Sequence, residues 1–249
     1  MFPGWGEGAY RDMKLFRLMG QIHLWLGIAF GVQVMLWLIS GLIMVIIPIE
    51  EIRGEHLRHD PAELVLDWAD EALPLATIIA AQDSEVTSAR TGWLAGAPVW
   101  RLETTDGPLM VDAVSGETLS PISEAVALDI AQTRQRGLGE LASIDWLTAP
   151  PREAGLTIPA WRVEFAAGET TPPTTFYINS QTGELRAVRT TAWRVYDFFW
   201  GVHIMDWSSR ENFNSWWIKV TSIIALLFGL AGVYLTVHRL WMMARRRRA

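Results

Sequence analysis

Five histidines, His23, His56, His59, His203 and His238, hold most of the scope for cofactor chemistry in a chain of 249 residues that contains no cysteine. A neutral imidazole ligates borderline metals and haem iron. Thiolate zinc sites, iron-sulfur clusters, disulfides and cysteine nucleophiles are excluded by composition. His23 precedes an uncharged run, residues 24–47, interrupted only by Gln33 and Ser40, and His238 closes a second apolar run, residues 216–238. Pairing two antiparallel helices about the midpoints of these runs places residue n opposite about residue 262 − n. His23 then falls within about one residue of His238, or roughly 1.5 Å of rise. Two imidazoles facing each other across a helix pair suit bis-histidine ligation of haem.

Room for a porphyrin is the next requirement. His23, Gly27, Gly31 (with Phe30), Val34, Leu38 and Gly41 recur at helical spacing, so His23 stands above a glycine-lined face. His238 aligns with Tyr234, Ala231, Leu227 and Ile224, while Gly229 points away and Gly232 lies to the side. The alternative is an amphipathic histidine at the headgroup level, with Gly27-x-x-x-Gly31 serving close helix packing. A haem held by two helices is poorly enclosed, so the haem reading calls for a homodimer or a partner membrane protein to complete a four-helix site. Gln33, in mid-membrane, is expected to hydrogen-bond across helices.

Beyond the first run, Glu50, Glu51, Glu55, His56, His59 and Asp60 form an acidic, histidine-bearing cluster suited either to a hard or borderline metal or to a solvated juxtamembrane face. Helical ends that continued past Pro48 would set His203 level with His59 and near His56. His203 lies in the apolar stretch Trp200-Gly201-Val202-His203-Ile204-Met205-Asp206-Trp207. It reads as a second cofactor ligand or, preferably, as a hydrogen-bonded histidine that docks the outer domain. There is no H-E-x-x-H, no G-x-S-x-G and no phosphate-cradling glycine loop, and no carboxylate spacing singles out an acid/base pair.

The elements that must position these residues follow from hydropathy and charge. Residues 24–47 span roughly 36 Å as a helix, enough to cross a bilayer with some tilt. The second run crosses as well, with Lys219 snorkelling near one end and Trp25, Trp216, Trp217 and Trp241 placed as an aromatic belt. The first run is too long for a signal-peptide core and stays as an anchor. The net charge of −6 divides into +1 over residues 1–21, −13 over residues 50–215, +1 from Lys219 and +5 over residues 239–249. Arg11, Lys14, Arg17, Arg239 and the run from Arg245 to Arg248 flank the spans, which places both termini in the cytoplasm and residues 50–215 outside, in the periplasm if the membrane is a bacterial inner membrane. The arginine run reads as a stop-transfer anchor, with no nucleic-acid partner. The acidic middle disfavours anionic surfaces and is compatible with cationic partners or metal.

That middle is duplicated. Pro98-Val99-Trp100-Arg101-Leu102-Glu103 recurs as Pro159-Ala160-Trp161-Arg162-Val163-Glu164 at an offset of 61, and Asp112-Ala113-Val114-Ser115-Gly116-Glu117 recurs as Asn179-Ser180-Gln181-Thr182-Gly183-Glu184 at an offset of 67. The six extra residues fit a longer loop over residues 167–173. The first block alternates like a half-buried strand, and the second turns through Ser/Thr-Gly with an Asp or Asn bonding the backbone ahead. Helical patterns precede each copy at residues 73–82 and 123–135. The fold class is therefore α+β, two transmembrane helices flanking two lobes, each a helix against an antiparallel sheet. The expected divisions are residues 1–21, 22–48 (first span), 49–60 (juxtamembrane), 61–122 and 123–195 (lobes), 196–215 (interfacial), 216–240 (second span) and 241–249.

The twice-seen strand-Asp/Asn-x-x-Ser/Thr-Gly-Glu-strand pattern comes with Ile22-His23-Leu24-Trp25-Leu26-Gly27, Ser40-Gly41-Leu42, Phe199-Trp200-Gly201-Val202-His203 and Gly229-Leu230-Ala231-Gly232-Val233-Tyr234. In the order of these features, over most of residues 20–240, the chain resembles the PepSY domain family, specifically the PepSY-associated transmembrane proteins. Some members look like haem-b ferric or ferric-siderophore reductases of the inner membrane. The resemblance implies haem b, with His23 and His203 at the matching positions, whereas His238 rests on geometry alone. This chain has two spans where those reductases have four. Two functions follow as expectations: a haem redox component, or a non-enzymatic accessory protein whose PepSY-like lobes bind an envelope protein or a larger membrane complex.

Overall fold

The computed structural model describes residues 5–60, 71–94 and 96–247, with side chains from residue 13. The expected start of the first lobe at residue 61, the side chain of Arg11 and the whole of Arg248 lie outside the described residues. The chain divides into two units, Met1–Ile46 with Tyr196–Ala249, and Ile47–Val195.

The first unit contains α1 (Trp5–Ile46) and α6 (Trp216–Arg246). Within α1 the stretch Met13–Ile46, and α6, are long and apolar enough to cross a membrane, each containing an 18-residue window with a mean hydropathy of 2.2. Ser215 caps α6, its hydroxyl accepting from the Ile218 N–H. The helices meet along seams with a seven-residue period. On α1 the partly covered residues Phe16, His23, Phe30, Trp37 and Met44 form the seam, and on α6 Ile218, Ala225 and Gly232 run beside Ile224, Ala231 and His238. A seven-residue seam is the signature of left-handed, shallow-angle packing. It also moves two residues from where helical spacing alone put them. Leu38 and Leu227 are 63% and 51% exposed, and Trp37 and Phe228 turn inward in their place.

The second unit is mixed α and β. Pro48 stops α1 and opens the four-residue helix α2 (Ile49–Ile52), so the first span does not continue outward as a helix. Gly54, at a φ of 66°, packs on Val188 where a Cβ would lie 2.6 Å from Cγ1, and a following 3-10 turn carries Leu57 into the core. Residues 49–60 thus belong to the body of this unit. Then come α3 (Leu75–Ala80), the antiparallel sheet β1 (Val86–Leu94), β2 (Ala97–Thr104) and β3 (Gly107–Asp112), and α4 (Glu124–Arg134), capped by Ser123. A second antiparallel sheet follows in the order β4 (Leu141–Leu147), β5 (Ala160–Phe165), β6 (Thr174–Asn179) and β7 (Leu185–Thr190). The helix α5 (Thr191–Ile204) leads on from β7.

The duplication is visible bond by bond. Asp112 and Asn179 each accept two backbone N–H groups ahead of them through Oδ1, from Val114 and Ser115 and from Gln181 and Thr182. Gly116 and Gly183, at φ of 76° and 65°, donate back to the carbonyls of those same residues. Ala113 bonds to the Pro98 carbonyl as Ser180 does to that of Pro159. The six-residue difference falls between β5 and β6, in the loop foreseen for it. The lobes share one core. Leu94, Val99 and Met110 of the first sheet join Ala127 and Ala131 of α4 and Trp161, Val163, Phe176, Ile178 and Val188 of the second. The opposite face of the first sheet, with Leu102 and Val111, packs against Ile78 of α3.

Candidate functional site

The three histidines of the helical unit occupy three levels. His23 stacks on Phe228, ring centroids 4.2 Å apart and 6° from parallel, and its Nδ1–H donates to the Phe228 carbonyl at 3.0 Å. Two glycines permit this contact. A Cβ on Gly27 would lie 3.1 Å from the Phe228 ring, and one on Gly232 would lie 2.9 Å from Cε1 of His23. Gly232, expected to the side, therefore faces His23, whereas Gly229 meets nothing within 4 Å, as the helical wheel implied. His238 packs among Phe16, Tyr234 and Trp241 at centroid distances of 4.8, 5.9 and 6.1 Å.

The expected pairing of His23 with His238 is thereby corrected. His23 lies opposite Phe228 and Gly232, and His238 opposite Phe16, so the helices are offset by about eight residues, roughly 12 Å, from midpoint alignment. The register follows from which ring fits over which glycine, not from the centres of the apolar runs. His203, near the end of α5, lies beside Ser40 and Gly41 instead. The buried Ser40 hydroxyl faces the carbonyls of Leu36 and Trp37 at 2.7 and 3.1 Å, so its proton is committed there and His203 Nδ1–H donates to it at 2.9 Å. His203 is a hydrogen-bonded histidine that docks α5 onto α1. From His23 to Ser40 is 17 residues of helix, roughly 25 Å. Within one chain the three imidazoles lie at different levels and Phe228 stacks on His23, so the residues of a single chain do not fit a bis-histidine haem. Among the described residues Gln33 Nε2 and Trp37 Nε1 are buried with no hydrogen-bond partner, so the Gln33 amide makes no cross-helix donation to any of them.

The end of α5 holds polar chemistry that the histidine argument passed over. Asp206 accepts from the backbone N–H groups of Ser208, Ser209, Glu211 and Asn212, and from both serine hydroxyls. The Ser209 hydroxyl and the Asn212 N–H hold its carboxyl well below the usual carboxylate range. Arg210 pairs with buried Asp197 and, through its carbonyl, with Trp200 Nε1. Asp206-x-Ser-Ser is a turn signal readable in sequence. The 13-residue separation of Asp197 from Arg210 carries none.

In the second unit the acidic, histidine-bearing cluster does not gather. Among the described residues no group of three or more His, Asp or Glu side chains is placed to hold a metal ion. His56 is exposed in the 3-10 turn, and Glu55 lies 3.9 Å from Arg53. His59 Nδ1 accepts from the Arg136 guanidinium at 3.4 Å, and a cation there opposes a second one.

A cleft of about 640 Å³, the size of a small-molecule site, opens in this unit between β1, α4 and the start of β7. Arg58, Arg101, Arg134 and Arg186 line it with Asp60, Asp129 and Glu184, over apolar Leu94, Ile130 and Leu185. The Arg101 guanidinium lies over Gly92, where a Cβ would sit 1.6 Å from Nη1, and donates to the carbonyls of Thr182 and Trp93 at 2.8 and 3.3 Å. Burial lowers its pKa despite Glu184 at 3.9 Å. Arg134 donates to the His59 carbonyl at 2.7 Å, and burial and neighbouring Arg58 lower its pKa against the opposing effect of Asp60. Arg58 reaches the cleft because residues 57–59 run antiparallel to the end of α4, with His59 N–H bonded to the Arg134 carbonyl and Arg136 N–H to that of Leu57. The available signal was Gly92, since a glycine inside a strand marks a close approach. Compared with protein-family models, curated proteins and solved structures, the chain matches none.

Proposed function

We propose that this chain is a membrane-anchored interaction protein in which two spans, with both termini in the cytoplasm, hold a tandem PepSY-like domain in the periplasm of a bacterial inner membrane. The lobes bind an envelope protein or a larger membrane complex, and the helices anchor them. The observation that carries this reading is the use made of the histidines. His23 stacks on and bonds to Phe228, His203 bonds to Ser40 and His238 packs in an aromatic cluster, so each of them joins one helix to another. Charge supports the orientation, with arginines next to both cytoplasmic ends. The duplicated lobes, sharing one core, form a rigid body that presents a cleft.

Site-specific photo-crosslinking of the full chain in cells tests the proposal. A probe at exposed Val114, on the first lobe's turn, is expected to give a discrete adduct with another protein, and one at lipid-facing Leu38 is expected to give lipid adducts. Adducts of lipid or of the chain with itself at both positions would overturn the proposal.

A further inference from the structure

We infer that the cleft between β1, α4 and β7 is a recognition site for a small, multiply charged oxyanion, a di- or tricarboxylate or a phosphate ester, whose apolar part lies on Leu94 and Ile130. This deepens the proposed function, since it rests on the outer domain being the part that recognises. Three observations on the page lead to it. The first is concentration of charge: residues 50–215 carry 12 arginines against 25 acids, and four of those arginines meet in this one cleft.

The second is repulsion between two of these cations. Arg58 and Arg134 line the same cleft, and Arg58 lowers the Arg134 pKa by like charge. A carboxylate or phosphate oxygen bound between two guanidinium groups relieves such repulsion. Guanidinium forks match such oxygens in pairs, which ammonium groups do not. The third is fixed geometry at the far wall, where Arg101 is held over Gly92 by two backbone carbonyls and cannot swing out to solvent. The surrounding negative charge is screened beyond about 10 Å at 0.1 M salt, so it repels extended anionic surfaces while the four arginines govern what enters the cleft.

The test is calorimetric titration of the full chain in neutral detergent with citrate and, separately, pyrophosphate, at constant ionic strength. Saturable binding is expected, weakened about tenfold or more in R58A/R134A, a loss of two charge-assisted contacts. Asp60→Asn removes a competing carboxylate and is expected to tighten binding a few-fold, a gain that misfolding cannot imitate. Arg162→Ala, outside the cleft, is expected to change nothing. Absence of saturable binding, or equal binding by wild type and R58A/R134A, overturns the inference. Neither result affects the Val114 crosslink, on which the interaction reading stands or falls by itself.

Discussion

Asp112 and Asn179 build the same turn from the same bonds, yet Arg101 and Arg162, which occupy equivalent places on β2 and β5, have opposite surroundings. Arg101 is 17% exposed, clamped by two carbonyls against Gly92 at the wall of the cleft, and burial lowers its pKa. Arg162 meets Asp145 at 3.0 Å and Glu164 at 3.6 Å on an open surface, and Asp145 raises its pKa. The first copy also ends its sheet at the turn, with only a bridge from Val111 to Thr118, where the second continues into β7. Duplication preserved the backbone device and released the side chains, so one lobe came to supply a recognition wall and the other a structural pair.

The largest expected effect distinguishes the two turns. Gly183→Val forces a side chain onto a φ of 65° and sets its Cβ 2.8 Å from Leu94 in the shared core, so strain and overpacking together are expected to destabilise by about 3 kcal/mol. Gly116→Val, at a φ of 76° with only Leu73 at 3.1 Å, is expected to lose about 1 to 2 kcal/mol. Denaturant unfolding of the full chain in detergent measures both, and equal losses would break the claim that the core lies mainly against the second turn.

The arginines come next. Arg101→Ala leaves two carbonyls unpaired and empties the space over Gly92, for an expected loss of about 2 kcal/mol. Arg162→Ala removes a solvent-exposed pair and is expected to lie within about 1 kcal/mol of wild type. The order should hold in thermal unfolding of the two variants side by side.

The smallest effect is one of pH. The Ser115 and Val114 N–H groups hold the Asp112 carboxyl below its ordinary value, against a smaller opposing effect of burial. Its contribution to stability is fully present above an unfolded pKa of about 4 and is lost as pH falls through the lower folded value. Asn179 does not titrate. Asp112→Asn is therefore expected to flatten the part of the acid stability profile below about pH 4 that the first turn contributes. An unchanged profile would deny that turn its carboxylate.

Much of this was legible in sequence because local chemistry decides it. The two apolar runs, the repeat with its changing offset, and the turns at Gly116 and Gly183 each depend on neighbouring residues alone. The helix register did not follow, because Phe228 over Gly27 and His23 over Gly232 are choices between distant surfaces that a count of residues from the run centres does not contain. Leu38 and Leu227 were misplaced for a related reason: a seven-residue seam departs from straight helical spacing over two heptads. In the outer domain, alternation placed Arg101 on a strand face, but only the packing of the lobes determined that this face would line a cleft.

The central proposal, that the histidines of the spans serve packing and do not ligate haem, is tested most directly by the absorption spectrum of the full chain purified in mild detergent from haem-replete cells. A colourless protein without a Soret band is predicted. A b-type Soret band that disappears in both His23→Ala and His238→Ala would contradict the account.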